Sequence, residues 1–427
     1  MNHALPDADM IEFDWITTLA MIFGVIAVVL PMVGYLTLSE RKISAWIQDR
    51  VGPNRVGPLG LLQPLADGGK FFLKEAPIPS HVDKLFFLMA PALSMCTALV
   101  ALAVVPWGGT TPPPLPVATT VVVNGAVQPV DDALAKFETG QAEYATKFQS
   151  VILPGVDVGI VYVFAIGSLA VYGVILGGWA SDNKYSLLGA LRASAQIISY
   201  EIPLGLSIVG ILLFTGSLNL EAMMQWQKEH GWFIFYQPLA FLLFMTSVYA
   251  ECNRLPFDLP EAEQELVGGY LTEYGALNFG MFMIGEFTHM ITTSLLMSIC
   301  FFGGYTLFGL EDSLSNPIAG FVLKAGIMMA KVGFFLFLYQ MVRWTIPRFR
   351  FDQLMALAWK VMTPLALLHL LGSMIVNQFK LSNWVLTAIS LGLFVGAGLL
   401  AVAVKAGPNN TPRRRNSSIK RMPVGVN

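Results

Sequence analysis

Five stretches of this chain carry no Asp, Glu, Lys or Arg at all: Trp15–Leu38, Leu85–Trp107, Val158–Ala180, Trp232–Ala250 and Leu381–Val404. Each is long enough to cross a hydrocarbon layer about 30 Å thick, which takes roughly 20 helical residues. Helices are the economical form for them, because such a layer offers no partner to an unpaired backbone N–H or C=O. Four further apolar segments hold polar residues within them: Ala193–Asn219 with Glu201, Tyr274–Leu310 with Glu286 and His289, Ile318–Val342 with Lys324 and Lys331, and Val361–Phe379 with His369. Only 13% of the residues are charged, against about one-quarter in soluble domains, so the pattern is not a local accident. The fold class expected is an all-α polytopic membrane protein of eight or nine transmembrane helices, the last being the peripheral one, with amphipathic helices in the loops. Residues 1–405 form a single membrane-embedded domain in this reading. It carries an exported Pro-rich insertion at 108–155 and is followed by a basic tail at 406–427.

Charge placement orients the bundle. With nine spans and the N-terminus outside, the inside segments hold 20 of the 26 Lys and Arg residues, and the outside segments hold only Lys136, Lys147, Lys228 and Lys380. Inside loops are the basic ones in membrane proteins, so the tail bearing Arg413, Arg414 and Arg415 is cytoplasmic. Asp and Glu precede the first span where a cleaved signal would have a basic region.

Several chemistries are excluded early. Cys96, Cys252 and Cys300 are isolated, without the CxxC pairs that hold iron–sulfur clusters, zinc or covalent haem. His289 and His369 are read as polar packing within spans. There is no Walker loop and no GxGxxG after a strand, so nucleotide, nucleic acid and metal are not expected as ligands. The exported segment begins TTPPPLP, an extended polyproline pattern, and its Val/Thr run is read as a short strand.

The loops on the inside carry the chemistry. In the first, the GP pairs Gly52–Pro53 and Gly57–Pro58 impose turns. Beyond them Leu62, Leu65, Ala66, Gly69, Phe72 and Leu73 recur at helical spacing, with Gln63, Asp67, Lys70 and Lys74 on the remaining face. That predicts an amphipathic helix near the membrane interface. A polar stripe simply facing water is the plainer alternative, but it leaves the Gly and Pro content of the loop without a purpose. The third inside loop, AECNRLPFDLPEAEQELVGGYLTEYG, places Glu251, Asp258, Glu261, Glu263, Glu265 and Glu273 within 23 residues. Asp258 before Pro260 is a helix-start pattern, and acids suit a first turn. A solvated acidic loop is the alternative, yet this one is apolar around its acids and runs against the basic habit of inside loops. Clustered carboxylates repel, so some of these hold protons near neutral pH, and together they make a series of proton-accepting sites.

At the level of whole strings the sequence resembles the H subunit of proton-pumping NADH–quinone oxidoreductase, respiratory complex I. The matching strings are ERKISAWIQDRVGPNRVGP, QPLADGGKFFLKE, GGWASDNKYSLLGALRASAQIISYEIPLGL, AECNRLPFDLPEAEQELVGGY and RWTIPRFRFDQLMALAWK, which cover the loops and most spans in order. The resemblance implies a bacterial inner-membrane subunit that lines part of a quinone chamber, with ubiquinone or menaquinone as substrate. FMN and iron–sulfur clusters would lie on partner subunits, and the partners would be peripheral-arm subunits, antiporter-like and small membrane subunits, and lipid. It assigns Arg41, Asp67, Lys70, Asp258, Glu261, Arg343 and Arg348 to the chamber, with Arg350 in the same basic loop. It assigns Glu201, Glu251, Glu263, Glu265, Glu286 and Lys331 to the coupling of quinone reduction to proton translocation. Two departures stand out: the long exported segment, and the lack of an acid around Gly167–Leu169, where some members carry one. The membrane anchor of an energy-converting hydrogenase or formate hydrogenlyase, a relative in the same superfamily, is the alternative. An unrelated proton-coupled transporter is a more distant one.

Overall fold

A computed structural model of the chain describes residues 15–108, 120–123, 126–129, 151–153, 156, 158–258, 267–310 and 317–406. The expectations for Glu261, Glu263 and Glu265, for the helix start at Pro260, for most of the exported segment and for the basic tail fall outside these residues. The described part is helical apart from one hairpin. In that hairpin β1 (Thr120–Val123) pairs antiparallel with β2 (Ala126–Pro129), Thr120 opposite Pro129 and Val123 opposite Ala126. The Val/Thr run does form the expected short strand.

Helix α1 (Trp15–Ile47) has 33 residues, about 50 Å at 1.5 Å per residue. That exceeds an apolar crossing by several turns, and the surplus carries Glu40, Arg41 and Lys42 as a continuation of the span. A turn follows in which Gly60 takes a positive φ of 76°, and a Cβ there would stand 2.2 Å from the Pro53 carbonyl oxygen, so only glycine fits. Helix α2 (Gln63–Leu73) starts with Pro64 in its first turn. It is amphipathic as the spacing predicts. Its apolar side is turned away from the bundle, however, with Leu65, Phe72 and Leu73 each more than three-quarters exposed.

Helices α3 (Lys84–Val100), α4 (Gly159–Ala180), α5 (Lys184–Thr215), α6 (Leu220–His230), α7 (Phe233–Tyr236), α8 (Pro238–Glu251) and α9 (Ala276–Phe302) follow. After them come α10 (Pro317–Thr345), α11 (Phe351–Ala356), a π-helical turn at Leu357–Met362, α12 (Thr363–Gln378) and α13 (Asn383–Ala406). Among the described residues seven helical stretches are long and apolar enough to cross a membrane: Thr18–Ile47, Lys84–Val104, Gly159–Ala180, Lys184–Thr215, Ala276–Phe302, Ala319–Thr345 and Phe351–Gln378. Two shorter apolar helices, Pro238–Glu251 and Asn383–Leu399, accompany them. The chain is thus a multi-pass, all-α membrane protein.

The shortness of α8 has a local cause. The sequence reads Trp232–Ala250 as one span, but a residue before proline is pushed off the helical region, and Gln237 sits at φ −129°, ψ 57°. The helix breaks there, and α8 keeps 14 residues, about 21 Å. Helix α9 lies at the centre, with most of its length buried. It approaches α3 closely because Gly285 has no side chain: a Cβ would meet Ser94 Oγ at 2.9 Å. Gly178 of α4 likewise admits α5, a Cβ there standing 2.3 Å from that of Ala190. Small residues at crossings are how membrane helices reach packing distance without a hydrophobic drive between them.

Candidate functional site: a line of ionisable residues through the bundle

The surplus turns of α1 begin the site. Arg41 Nη1 lies 2.8 Å from Asp67 Oδ2 on α2, and Gln63 Nε2 donates to the other Asp67 oxygen at 3.0 Å. Lys70 is on the same short helix and exposed. One residue before Arg41, Glu40 turns inward and is held between two guanidinium groups, Arg343 at the end of α10 in direct contact and Arg254 at 3.7 Å. Arg254 follows α8 and reaches across to Glu286 on α9, its Nη2 being 4.0 Å from that carboxylate. Its guanidinium carbon lies 4.3 Å from the centre of the Phe287 ring, a cation–π distance. Glu286 also accepts a 2.6 Å hydrogen bond from the Tyr270 hydroxyl. Beside this group Asp258 pairs with Arg348 at 3.4 Å, and the Arg350 amide caps α11 through Gln353.

Three residues along α9 from Glu286, and so on the same face, His289 sets its Nε2 3.2 Å from Glu251 Oε1. The nitrogen is off the hydrogen-bond line. Glu201 of α5 lies in the electrostatic field of Glu251 and His289, with Ser168 of α4 as a side-chain partner. A cavity of about 50 Å³ opens between these groups, bordered by Ser94, Gly167, Glu251, Asn253, Glu286 and His289. A water needs about 10–15 Å³ on this measure, so there is room for a few. Gly167 borders it directly: a Cβ there would stand 3.6 Å from Glu251 Oε1 and 3.8 Å from His289 Cε1.

The structure therefore brings Arg41 and Asp67 together, and Asp258 with Arg348. It places Arg343, Glu286, Glu251 and Glu201 along one line. Lys331 is elsewhere. Its ammonium donates to the carbonyls of Phe302, Gly304 and Thr306 at 2.6, 2.8 and 2.6 Å and sits 4.7 Å from the Trp232 ring. Those carbonyls close the C-terminal end of α9, where a cation is favoured. The end of α9 is 16 residues beyond Glu286, about 24 Å along the helix. Sequence reasoning passes over Glu40, Arg254 and His289. The signals for them are present: Glu40 opens the ERK string, Arg254 is the single cation in the acidic loop, and His289 follows Glu286 at helical spacing. His289 is not the simple packing residue that the sequence alone suggests.

Fold and site together define a polytopic helical membrane protein with a line of buried ionisable side chains threaded through its core. Comparison with known proteins gives the family. The NADH dehydrogenase family profile matches residues 20–374. The first of the NADH-quinone oxidoreductase H subunits of Cytophaga hutchinsonii is 43% identical over 82% of this chain and 94% of its own length. The H subunit of Leptospira biflexa is 44% identical over 87% and 98%, and that of Deinococcus radiodurans is 41% identical over 96% and 98%. The chain belongs to the family of NADH-quinone oxidoreductase H subunits.

Proposed function

We propose that, as the membrane-embedded H subunit of a proton-translocating NADH–quinone oxidoreductase, this chain lines the head of a quinone chamber and passes the charge change of quinone reduction sideways into the membrane arm. The observation that carries this reading is the joined series Asp67–Arg41, Glu40–Arg254–Glu286 and His289–Glu251, with Glu201 beyond. A quinone is a long apolar molecule with a polar head, and its site needs apolar walls ending in donors and charges. The α2 segment and the surplus turns of α1 supply both. Reduction takes two electrons and two protons and passes through anionic forms that Arg41, Lys70, Arg343 and Arg348 stabilise electrostatically. Asp258, Glu261, Glu263 and Glu265 supply protonatable groups in the loop between α8 and α9. The electrons come from iron–sulfur centres and FMN of partner subunits, the three cysteines of this chain being isolated from one another. Antiporter-like subunits receive the signal.

In this reading the two shorter helices complete nine spans in a bacterial inner membrane, with the N-terminus outside and the basic tail in the cytoplasm. Glu201, Glu251 and Glu286 are the coupling carboxylates. Lys331 acts with them from the far end of α9, as the fixed cation that anchors that helix. The test is Arg41→Gln or Asp67→Asn in the assembled complex. Electron transfer to quinone is expected to slow while NADH oxidation by a soluble artificial acceptor, which takes electrons upstream, is unchanged. Equal loss of both activities would show a failure of assembly and remove the support for a chamber here.

A further inference from the structure

We propose that His289 carries the proton between Glu251 and the Glu286 end of the line, so that the transfer runs through an imidazole and not from carboxylate to carboxylate. The inference rests on the coupling-line reading above. Glu286 uses its two oxygens on Tyr270 and Arg254, and Glu251 has His289 at 3.2 Å. His289 stands between them, one helical step from Glu286 on α9 and across the cavity wall from Glu251 at the end of α8. Imidazole has two nitrogens and can accept a proton at one while releasing it at the other, which neither carboxylate can do without turning over.

The surroundings fit a charged intermediate. The ionisable groups that face His289 are Glu251 from α8, Glu286 from α9 and Glu201 from α5. Arg254 and Asp258 stand behind Glu286. Helices α3 and α4 contribute only Ser94, Ala98, Gly167 and other uncharged residues to this cavity. A cation alone in a span is costly, whereas an imidazolium here stands among three acids and one guanidinium. The step balances without electrons. Protonated Glu251 and neutral His289 become the Glu251 carboxylate and an imidazolium, which then gives a proton to the Glu286 carboxylate, leaving neutral His289 and protonated Glu286. The off-line geometry at Nε2, with Glu251 already at 3.2 Å, means that a small ring rotation completes the contact, as in many resting proton-transfer sites. The cavity of about 50 Å³ beside the ring has room for that rotation. Glycine at position 167 keeps that space open.

The experiment uses the whole complex in its membrane. His289→Gln keeps the size and polarity of the side chain but cannot titrate. Expected are unchanged NADH oxidation by a soluble acceptor, quinone-linked turnover lower by about 100-fold or more, and loss of one ionisation from the pH–rate profile. In His289→Ala, added imidazole is expected to restore turnover, and pyrazole, which has the same size but is a far weaker base, is not. Wild-type turnover, profile and protons per electron in His289→Gln would overturn the proposal. So would equal rescue by both rings, since the side chain would then only fill space. So would failure of both variants to assemble without recovery by imidazole. Glu201→Gln is measured alongside. Normal pumping in that variant would sink the coupling line itself, whereas an impaired Glu201→Gln beside a wild-type-like His289→Gln would sink only the role of the imidazole.

Discussion

Arg254 is the residue on which the line can be tested hardest. Its guanidinium is 14% exposed and serves two carboxylates, Glu40 at 3.7 Å and Glu286 at 4.0 Å. At an effective dielectric near 20, unit charges about 4 Å apart interact by about 4 kcal/mol. In Arg254→Gln, Glu40 keeps Arg343, but Glu286 keeps only the Tyr270 hydroxyl. The loss therefore falls on Glu286. Removing one member of a buried pair costs about 3–5 kcal/mol, and a glutamine amide returns about 1 kcal/mol as a neutral hydrogen bond. The net of about 2–4 kcal/mol corresponds to quinone-linked turnover lower by about 30- to 1,000-fold, at tenfold per 1.4 kcal/mol. Lysine in place of Arg254 reaches one carboxylate but not both, so Arg254→Lys should fall between. The assay is NADH oxidation with quinone against NADH oxidation with a soluble acceptor, on the same membranes. The double variant Arg254→Gln/Glu286→Gln is expected to assemble in higher yield than Arg254→Gln alone, because the orphaned charge is gone, while its quinone-linked turnover stays low for want of the Glu286 carboxylate. An Arg254→Gln enzyme within threefold of wild type, or a double variant no better assembled than Arg254→Gln, would refute the pairing argument.

Three other outcomes are expected. Gln196→Met removes the donor that holds the carbonyls of Ala250 and Phe257 at 2.8 and 2.9 Å; at about 1–3 kcal/mol for each orphaned group, the amount of assembled complex in membranes should drop, as read by soluble-acceptor activity. Lys331→Met exposes three carbonyls at the end of α9 and should lower the yield of assembled complex more than the turnover of each complex, a ratio obtained from the same two assays. Cysteine tags at Thr119 and Asn416 should react with an impermeant label from opposite sides of the membrane, Thr119 from outside, and same-side labelling would break the nine-span arrangement.

The spans are legible because they rest on composition over some 20 residues at a time, and the amphipathic α2 because its period is strong. Boundaries read less well where a single residue decides them. Pro238 cuts a span that hydropathy alone shows as continuous, and Lys184 and Arg192 hide the first turns of α5, which continue unbroken into the apolar run. The carboxylates stand out by their types and by the strings that hold them. Their partners do not, because pairing in a bundle depends on which helix faces come together. Glu40 meets Arg343 across some 300 residues of sequence, and Arg254 finds Glu286 only through the path of a loop. No local pattern encodes either contact. His289 reads as polar packing for a related reason: nothing in the sequence shows that its ring faces Glu251.

The short α8 connects these misreadings. Because Pro238 ends the preceding turn early, α8 reaches the end of its 14 residues at Glu251, and the chain after it stays within the bundle as far as Asp258. Cys252, Asn253 and Phe257 are all buried there. Non-helical backbone at such depth is tolerated only where its polar groups are met by protein, and the side chain of Gln196 does this from α5, donating to Ala250, Asn253 and Phe257 together. The Pro256 carbonyl is met by the amide of Phe349, which ties the same segment to the basic loop that carries Arg348. Held from both sides, the segment points Arg254 and Asp258 inward, toward charges on α1, α9 and the segment after α10. A full-length span in place of α8 would have delivered the same residues to the membrane surface, where water screens them and a surface ion pair contributes little. The helix break is thus what brings Glu251–Asp258, the start of the acidic loop, into the buried line, and the glutamine at position 196 is what satisfies its backbone there.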